Sequence, residues 1–279
     1  MSFADIRGVA INYEIVGTSG PNVALTPGGR NPLGDVRPIA ASLAAAGYRV
    51  LIHDRRNCGA SDVSFDATQS EADLGADDLH VLLQKLGMLP AIVGGCSSGA
   101  RLSLAFVRRQ PEDVRALLLW RLTGGEFAVR RLADMYYDAY IRVAGQGGMS
   151  AVCQTEHFAE VIRNRPDNCG KLMATDPNDL IGCMRAWRDA FVAGGQFPLI
   201  GSSGAELRAL AVPVCVIPGD DRTHPGNAAA SAALLIPQHE VHRVAGPDQD
   251  LDASPREEWV ARNEAIASVF VDFLRRRIQ

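Results

Sequence analysis

The sequence predicts an α/β fold, a mostly parallel sheet with helices on both faces, interrupted by an inserted helical lid. Three observations carry this. Short apolar runs alternate with helical segments of ten or more residues, the pattern of units that build parallel sheets. The alternation stops at about Leu122 and resumes after Leu207. Near the middle, residues 91–100 (AIVGGCSSGA) read as a strand meeting a sharp, small-residue turn that opens a helix.

In chain order, residues 9–16 (VAINYEIV) alternate as a strand and residues 22–26 (NVALT) form a short apolar run. Pro27-Gly28-Gly29-Arg30-Asn31-Pro32 follows as a loop. Residues 39–46 are helical and stop at Gly47. Residues 48–53 (YRVLIH) are a buried strand, and residues 54–62 (DRRNCGASD) a polar turn. Ser70-Glu71-Ala72-Asp73 opens a helix that runs to about Leu86, with Gly87 as its stop. After the helix at 102–109, residues 116–120 (ALLLW) give the next strand.

The stretch from 122 to 207 is mostly helical and aromatic, punctuated by glycine pairs, so its aromatics form the apolar underside of a lid. A strand at 212–217, a helix at 228–235 and a strand at 241–244 resume the alternation. Ser254-Pro255-Arg256-Glu257 reads as a capping box that opens the last helix. Residues 1–121 and 208–279 are thus the expected core and 122–207 the lid.

Composition narrows the classes. With 47% hydrophobic and 22% charged residues, this is the balance of a globular protein. A net charge of −4 with no basic block gives no support for a nucleic-acid or membrane partner. The start, MSFADIRGVA, lacks a basic flank with an apolar core, so no leader is expected. Six scattered cysteines without a C-x-x-C pair argue against a zinc site or a disulfide framework and for a reducing cytoplasm. Neither a metal nor a cofactor is expected. The expected partner is a small-molecule substrate, with a homodimer left open.

The turn Gly95-Cys96-Ser97-Ser98-Gly99 is a G-x-S-x-G motif in the strand–turn–helix context that a nucleophile elbow requires. Small neighbours let strand and helix close around the serine, whose hydroxyl is thrust toward a substrate. Cys96 beside it reads as a small buried residue.

Taken together, these features resemble the α/β-hydrolase superfamily along nearly the whole chain. TPGGRNP stands where that superfamily has its oxyanion loop. HDRRNCGASD looks like its D-x-R-G-x-G-x-S turn, with Asn57 in place of glycine. VIPGDDRTHP is similar to the segment that bears the acid after the seventh strand. The resemblance implies Ser97 as nucleophile, the N–H groups of Gly29 and Ser98 as oxyanion hole, and Asp221 as acid.

The superfamily's histidine normally follows the last strand. Here that stretch is Ala245-Gly246-Pro247-Asp248-Gln249-Asp250, and no histidine occurs after His242. A serine nucleophile needs a base within hydrogen-bond reach. His224, three residues after Asp221, is the first candidate, with His157, His53 and Asp248 as alternatives. Arg30, Arg121 and Arg222 fall where the carboxyl ends of parallel strands gather. They suggest a substrate bearing a carboxylate, enolate or β-diketone, with Arg30 and Arg121 as its binders.

The expected function is a cofactor-independent hydrolase of a small ester, lactone or activated C–C bond acting through Ser97. The alternative is a non-hydrolytic lyase, isomerase or ligand-binding protein of the same fold.

Overall fold

The computed structural model describes residues 2–278. The chain runs through β1 (Ser2–Ile6), β2 (Val9–Val16), β3 (Asn22–Thr26), α1 (Arg37–Ala45), β4 (Arg49–His53), α2 (Glu71–Lys85), β5 (Ala91–Cys96), α3 (Ser98–Arg109) and β6 (Val114–Trp120). It leaves the sheet for α4 (Glu126–Ala133), α5 (Ala139–Cys153), α6 (Glu156–Asn164), α7 (Asp167–Met173), α8 (Pro177–Ala193) and α9 (Gly204–Arg208). It returns as β7 (Val214–Ile217), α10 (Gly226–Ala233) and β8 (His239–Val241), and ends in α11 (Arg256–Ala261) and α12 (Asn263–Arg277).

The strands form one eight-stranded sheet in the order β1-β2-β4-β3-β5-β6-β7-β8. β2 is antiparallel to β1 and β4, and from β4 to β8 neighbouring strands are parallel. Side chains of a strand alternate between faces, so a strand covered on both sides reads as an uninterrupted apolar run. Val93, Leu117 and Val216 pack with Leu82 and Phe106 of α2 and α3. Their neighbours Ile92, Leu118 and Ile217 pack on the other face with Leu43 of α1 and Phe270 of α12. That alternation is what sandwiches the sheet.

A third apolar cluster belongs to the segment between β6 and β7, where Tyr137, Phe158, Trp187 and Phe191 are buried together with Val63 and Leu74. Asp134–Asp138, between α4 and α5, is a π-helical turn. Its extra residue per turn shifts the side chains that follow α4.

Three local expectations differ from the structure. β1 is an additional edge strand, joined to β2 by a tight turn. β8 occupies His239–Val241 rather than 241–244. Ser254 makes no capping box: its hydroxyl donates to Asp220 Oδ1 (2.8 Å), the N-cap is Pro255, and the last helix is split into α11 and α12. A capping box does form at Ser203 and Glu206, opening α9.

Among the described residues no helix is long and apolar enough to cross a membrane, and all six cysteines are free thiols.

Candidate active site

Ser97 stands between β5 and α3 with φ 52° and ψ −108°. A non-glycine residue held there costs on the order of 1–3 kcal/mol, so the surroundings must enforce it. The Ser97 N–H donates to the Trp120 carbonyl of β6 (3.0 Å), which anchors the turn. The flanking glycines permit the closure. A Cβ on Gly95 would lie 2.2 Å from the Gly99 carbonyl carbon, and one on Gly99 would lie 2.2 Å from the Thr26 oxygen. Backbone meets backbone on both sides, so the motif's glycines are steric necessities.

Ser97 Oγ is 3.0 Å from His224 Nε2. His224 Nδ1 is 2.9 Å from Asp221 Oδ1. Arg121 Nη2 also stands 3.3 Å from that nitrogen, but a guanidinium has only protons to offer, so the shorter carboxylate contact fixes the tautomer. Nδ1–H therefore donates to Asp221, and Nε2 accepts from the Ser97 hydroxyl. Burial pushes the His224 pKa below its ordinary value, partly offset by the Asp221 hydrogen bond, and the ring is neutral near pH 7.

Asp221 is held by five donors. Oδ1 accepts from Thr223 N (3.0 Å), His224 N (2.8 Å) and the His224 ring. Oδ2 accepts from Ser254 N (2.9 Å) and Arg121 Nη2 (2.9 Å). Burial would raise its pKa, but the His224 hydrogen bond and charge, the Ser254 N–H and Arg121 together hold it far below the carboxylate range. The loop after β8, where the resemblance expects a histidine, contributes Ser254 instead.

The loop after β3 is tied to the same turn. The Gly28 carbonyl accepts from Asn31 N (3.1 Å), which sets the plane of the peptide carrying the Gly29 N–H. The Gly29 carbonyl accepts from Ser98 Oγ (2.8 Å) and from Arg55 Nη2. Ser98 is the first residue of α3, so its N–H has no intrahelical acceptor.

The remaining candidates lie elsewhere. His157 Nε2 bonds to the Asn57 carbonyl (2.8 Å), and burial pushes its pKa down to about 3. His53 is buried in the sheet against Thr26 Oγ1 (3.0 Å), also with its pKa pushed down to about 3 by burial. Asp248 accepts from Gly226 N (2.9 Å) and so caps α10. Among the histidines and Asp248, only His224 is brought to Ser97. Arg30 is buried away from the serine, with Nη2 on the Tyr136 carbonyl (2.9 Å) and 3.4 Å from Glu71, among the faces of Tyr136, Tyr137 and Tyr140. Arg121 borders the serine but is engaged by Asp221 and stacks on Trp259. Arg222 stacks on Phe127 and pairs with Asp252 at the surface. Burial pushes the Cys96 thiol up to about 11, so it is protonated near neutral pH.

Ser97 and His224 open into a cleft of about 280 Å³ between the carboxyl ends of the parallel strands and the helix α4. Gly29, Trp120, Arg131 and Tyr136 are among the residues that line it. The sequence marks Tyr136 only as one of the aromatics of the stretch 122–207 and does not mark Arg131. Their spacing on α4 and the π turn resembles any amphipathic helix, and only the tertiary placement brings them here.

Residues 23–122 match the family model described as alpha/beta hydrolase fold. An uncharacterized hydrolase of Bacillus subtilis, YraK, is 34% identical over 113 residues, which are 40% of this chain and 41% of that protein. The match thus spans about two fifths of the relative's length. An esterase from Thermogutta terrifontis superposes with a TM-score of 0.70 over 100% of both chains at 19% identity. The chain has the α/β-hydrolase fold. An enol-lactonase from Burkholderia xenovorans LB400 shares it (TM-score 0.66, 19% identity, 98% of this chain and 99% of that one). So does a meta-cleavage product hydrolase from Pseudomonas fluorescens IP01 (TM-score 0.67, 18% identity, 99% and 98%). In the α/β-hydrolase fold of this chain, both the carboxylate and the imidazole at the serine come from the loop after β7.

Proposed function

We propose that this protein is a cofactor-independent serine hydrolase of a small ester, lactone or activated C–C bond. The observation that carries the reading is the chain Ser97 Oγ to His224 Nε2 (3.0 Å) and His224 Nδ1 to Asp221 Oδ1 (2.9 Å), placed at the mouth of a cleft. Ser97 Oγ attacks the substrate carbonyl as its proton passes to His224 Nε2, and Asp221 stabilises the imidazolium that forms. The N–H groups of Gly29 and Ser98 hold the oxyanion. The tetrahedral intermediate collapses, and His224 returns the proton to the leaving group. Water, deprotonated by His224, then cleaves the acyl-enzyme and regenerates Ser97.

In this reading residues 1–121 and 208–279 are the catalytic core and residues 122–207 the lid that shapes the cleft. Arg121 acts on Asp221, and Arg30 braces the lid against the oxyanion loop. A cleft of about 280 Å³ lies at the small end of ligand sites, which supports a small substrate.

The test is intact-mass analysis after treatment with a fluorophosphonate. One adduct per chain, absent in Ser97→Ala, is expected. A folded wild-type protein that takes no adduct overturns the reading and leaves the lyase, isomerase or ligand-binding alternative.

A further inference from the structure

The charges lining the cleft do not balance. Three guanidiniums border it, those of Arg121, Arg131 and Arg256, against one bordering carboxylate, Asp35. Arg256 is paired with Asp35. Arg121 is paired with Asp221 just behind the wall, at 2.9 Å. Arg131, on α4, has no carboxylate within ion-pair distance among the described residues. Its neighbour Arg130 faces Glu126 instead. Among the described residues, the Arg131 guanidinium makes one side-chain hydrogen bond, a weak one from Nη1 to Met135 Sδ at 3.8 Å, one helical turn along.

A half-buried guanidinium without an acid partner is a binding group in waiting, because five donors in a planar fork match a carboxylate. It lines the same cleft as Ser97 and His224. The positive charge of Arg131 is also among those that depress the His224 pKa, which puts it within electrostatic reach of the serine–histidine pair.

We propose that Arg131 is the specificity-determining residue of this cleft and that the substrate is a small ester or lactone bearing a carboxylate, which Arg131 holds while Ser97 attacks the carbonyl. This rests on the hydrolase reading for its chemistry and assigns the substrate class. It also moves the carboxylate-binding role from Arg30 and Arg121, whose Nη2 atoms already face Glu71 and Asp221, to a residue on the lid.

The experiment compares 4-nitrophenyl hydrogen adipate with 4-nitrophenyl heptanoate, esters of similar length that differ in the terminal carboxylate. Charge-assisted hydrogen bonds of this kind correspond to roughly 10- to 100-fold in affinity. Wild type should favour the adipate ester by about that factor in kcat/KM. Arg131→Gln should abolish the preference through the KM of the adipate ester, while Arg131→Lys retains part of it.

Equal use of both esters by the wild type, or an equal loss on both in Arg131→Gln, overturns the assignment and leaves the hydrolase reading standing. If neither ester is cleaved, fluorophosphonate labelling of Ser97 decides the hydrolase reading. Calorimetric titration with adipate then decides the Arg131 assignment without turnover. Binding that weakens at least tenfold in Arg131→Gln supports it, and binding that is absent or unchanged refutes it.

Discussion

His224 Nε2 meets Ser97 Oγ at 3.0 Å across 127 residues of chain, yet it takes its orientation from Asp221, only three residues away. Asp221 Oδ1 accepts both the His224 backbone N–H and its ring N–H, so a single short loop sets position and tautomer at once. In this arrangement the carboxylate is part of the histidine's own turn rather than a partner supplied by another loop.

Asp221→Asn therefore separates the structural from the electrostatic role. The amide can still accept from the loop N–H groups, but it no longer stabilises an imidazolium, and its own NH₂ favours the wrong tautomer. A fall in kcat of about 10⁴-fold is expected, the magnitude seen for the equivalent change in serine proteases. Circular dichroism should show the fold retained, with a lower thermal midpoint because the new NH₂ faces the Ser254 N–H and the Arg121 guanidinium. A loss below about tenfold would mean that Asp221 is structural.

The pH profile follows from the same pair. His224 must be neutral to accept the Ser97 proton, and its pKa lies below the ordinary 6.5 because of burial. Activity is thus present above the His224 pKa and lost as pH falls through it. The acid limb of kcat/KM should sit below pH 6.5. Arg121 is one of the charges that lower this pKa, so Arg121→Gln should move the limb to higher pH. A limb that moves down instead would contradict the assignment of His224 as base.

Much of this was legible in the sequence. The apolar runs at β3, β4, β5 and β7 are buried on both faces, so composition alone exposes them. The elbow is legible because its glycines are sterically required, and His224 was reachable because it neighbours Asp221 on one loop. β1 was missed since its turn to β2 places Arg7 and Gly8 both at positive φ (54° and 78°), a hairpin geometry usually marked by Asn-Gly or Gly-Gly. Ser254 misled because Ser-Pro-x-Glu is a capping signal, yet Asp220 and Asp221 compete for its hydroxyl and N–H. Arg30 misled because proximity in sequence to Gly29 does not reveal that its side chain turns toward Glu71 and the tyrosines. Asn57 occupies the glycine position of its turn at φ 64°, a conformation that asparagine tolerates better than most residues.

The elbow's steric argument is tested by Gly99→Ala. The added methyl would sit 2.2 Å from the Thr26 oxygen and 2.8 Å from the Pro27 oxygen, both backbone atoms that cannot turn aside. β3 and α3 must separate, which costs about 3 kcal/mol and displaces both Ser97 and the oxyanion loop. Urea denaturation should show the lower midpoint, and fluorophosphonate labelling of the folded fraction should slow. Unchanged stability would mean that β3 and α3 are not in backbone contact at Gly99.

Two further histidines make stability depend on pH. Burial pushes the pKa of His53 and of His157 down to about 3, against an ordinary 6.5 in the unfolded chain. Between these values the unfolded chain binds the extra protons, so stability rises with pH up to about 6.5 and is lost as pH falls toward 3. Two such groups add at most about 3 kcal/mol per pH unit to the slope. Urea unfolding at pH 7, 6 and 5 should show the decline, and His53→Gln or His157→Gln should each make it shallower.

The loop after β8 is held by Asp220. Asp220 is fully buried, and its carboxylate gathers Ser254 Oγ (2.8 Å), Trp259 Nε1 (3.2 Å), Arg262 Nη1 (3.1 Å) and Gln249 Nε2 (3.3 Å). The Ser254 thus fixed donates its N–H to Asp221. Asp220→Asn turns an NH₂ toward donors and removes the charge that faces Arg262. The cost is about 2–3 kcal/mol, at the low end for a buried pair because Arg262 reaches solvent. Because Ser254 loosens with it, Asp221 loses one of its five donors, and kcat should fall by several-fold beyond the loss of folded protein. Urea midpoints and kcat measured on the same preparation separate the two effects, and a stability loss with unchanged kcat would show that Asp221 does not depend on this loop.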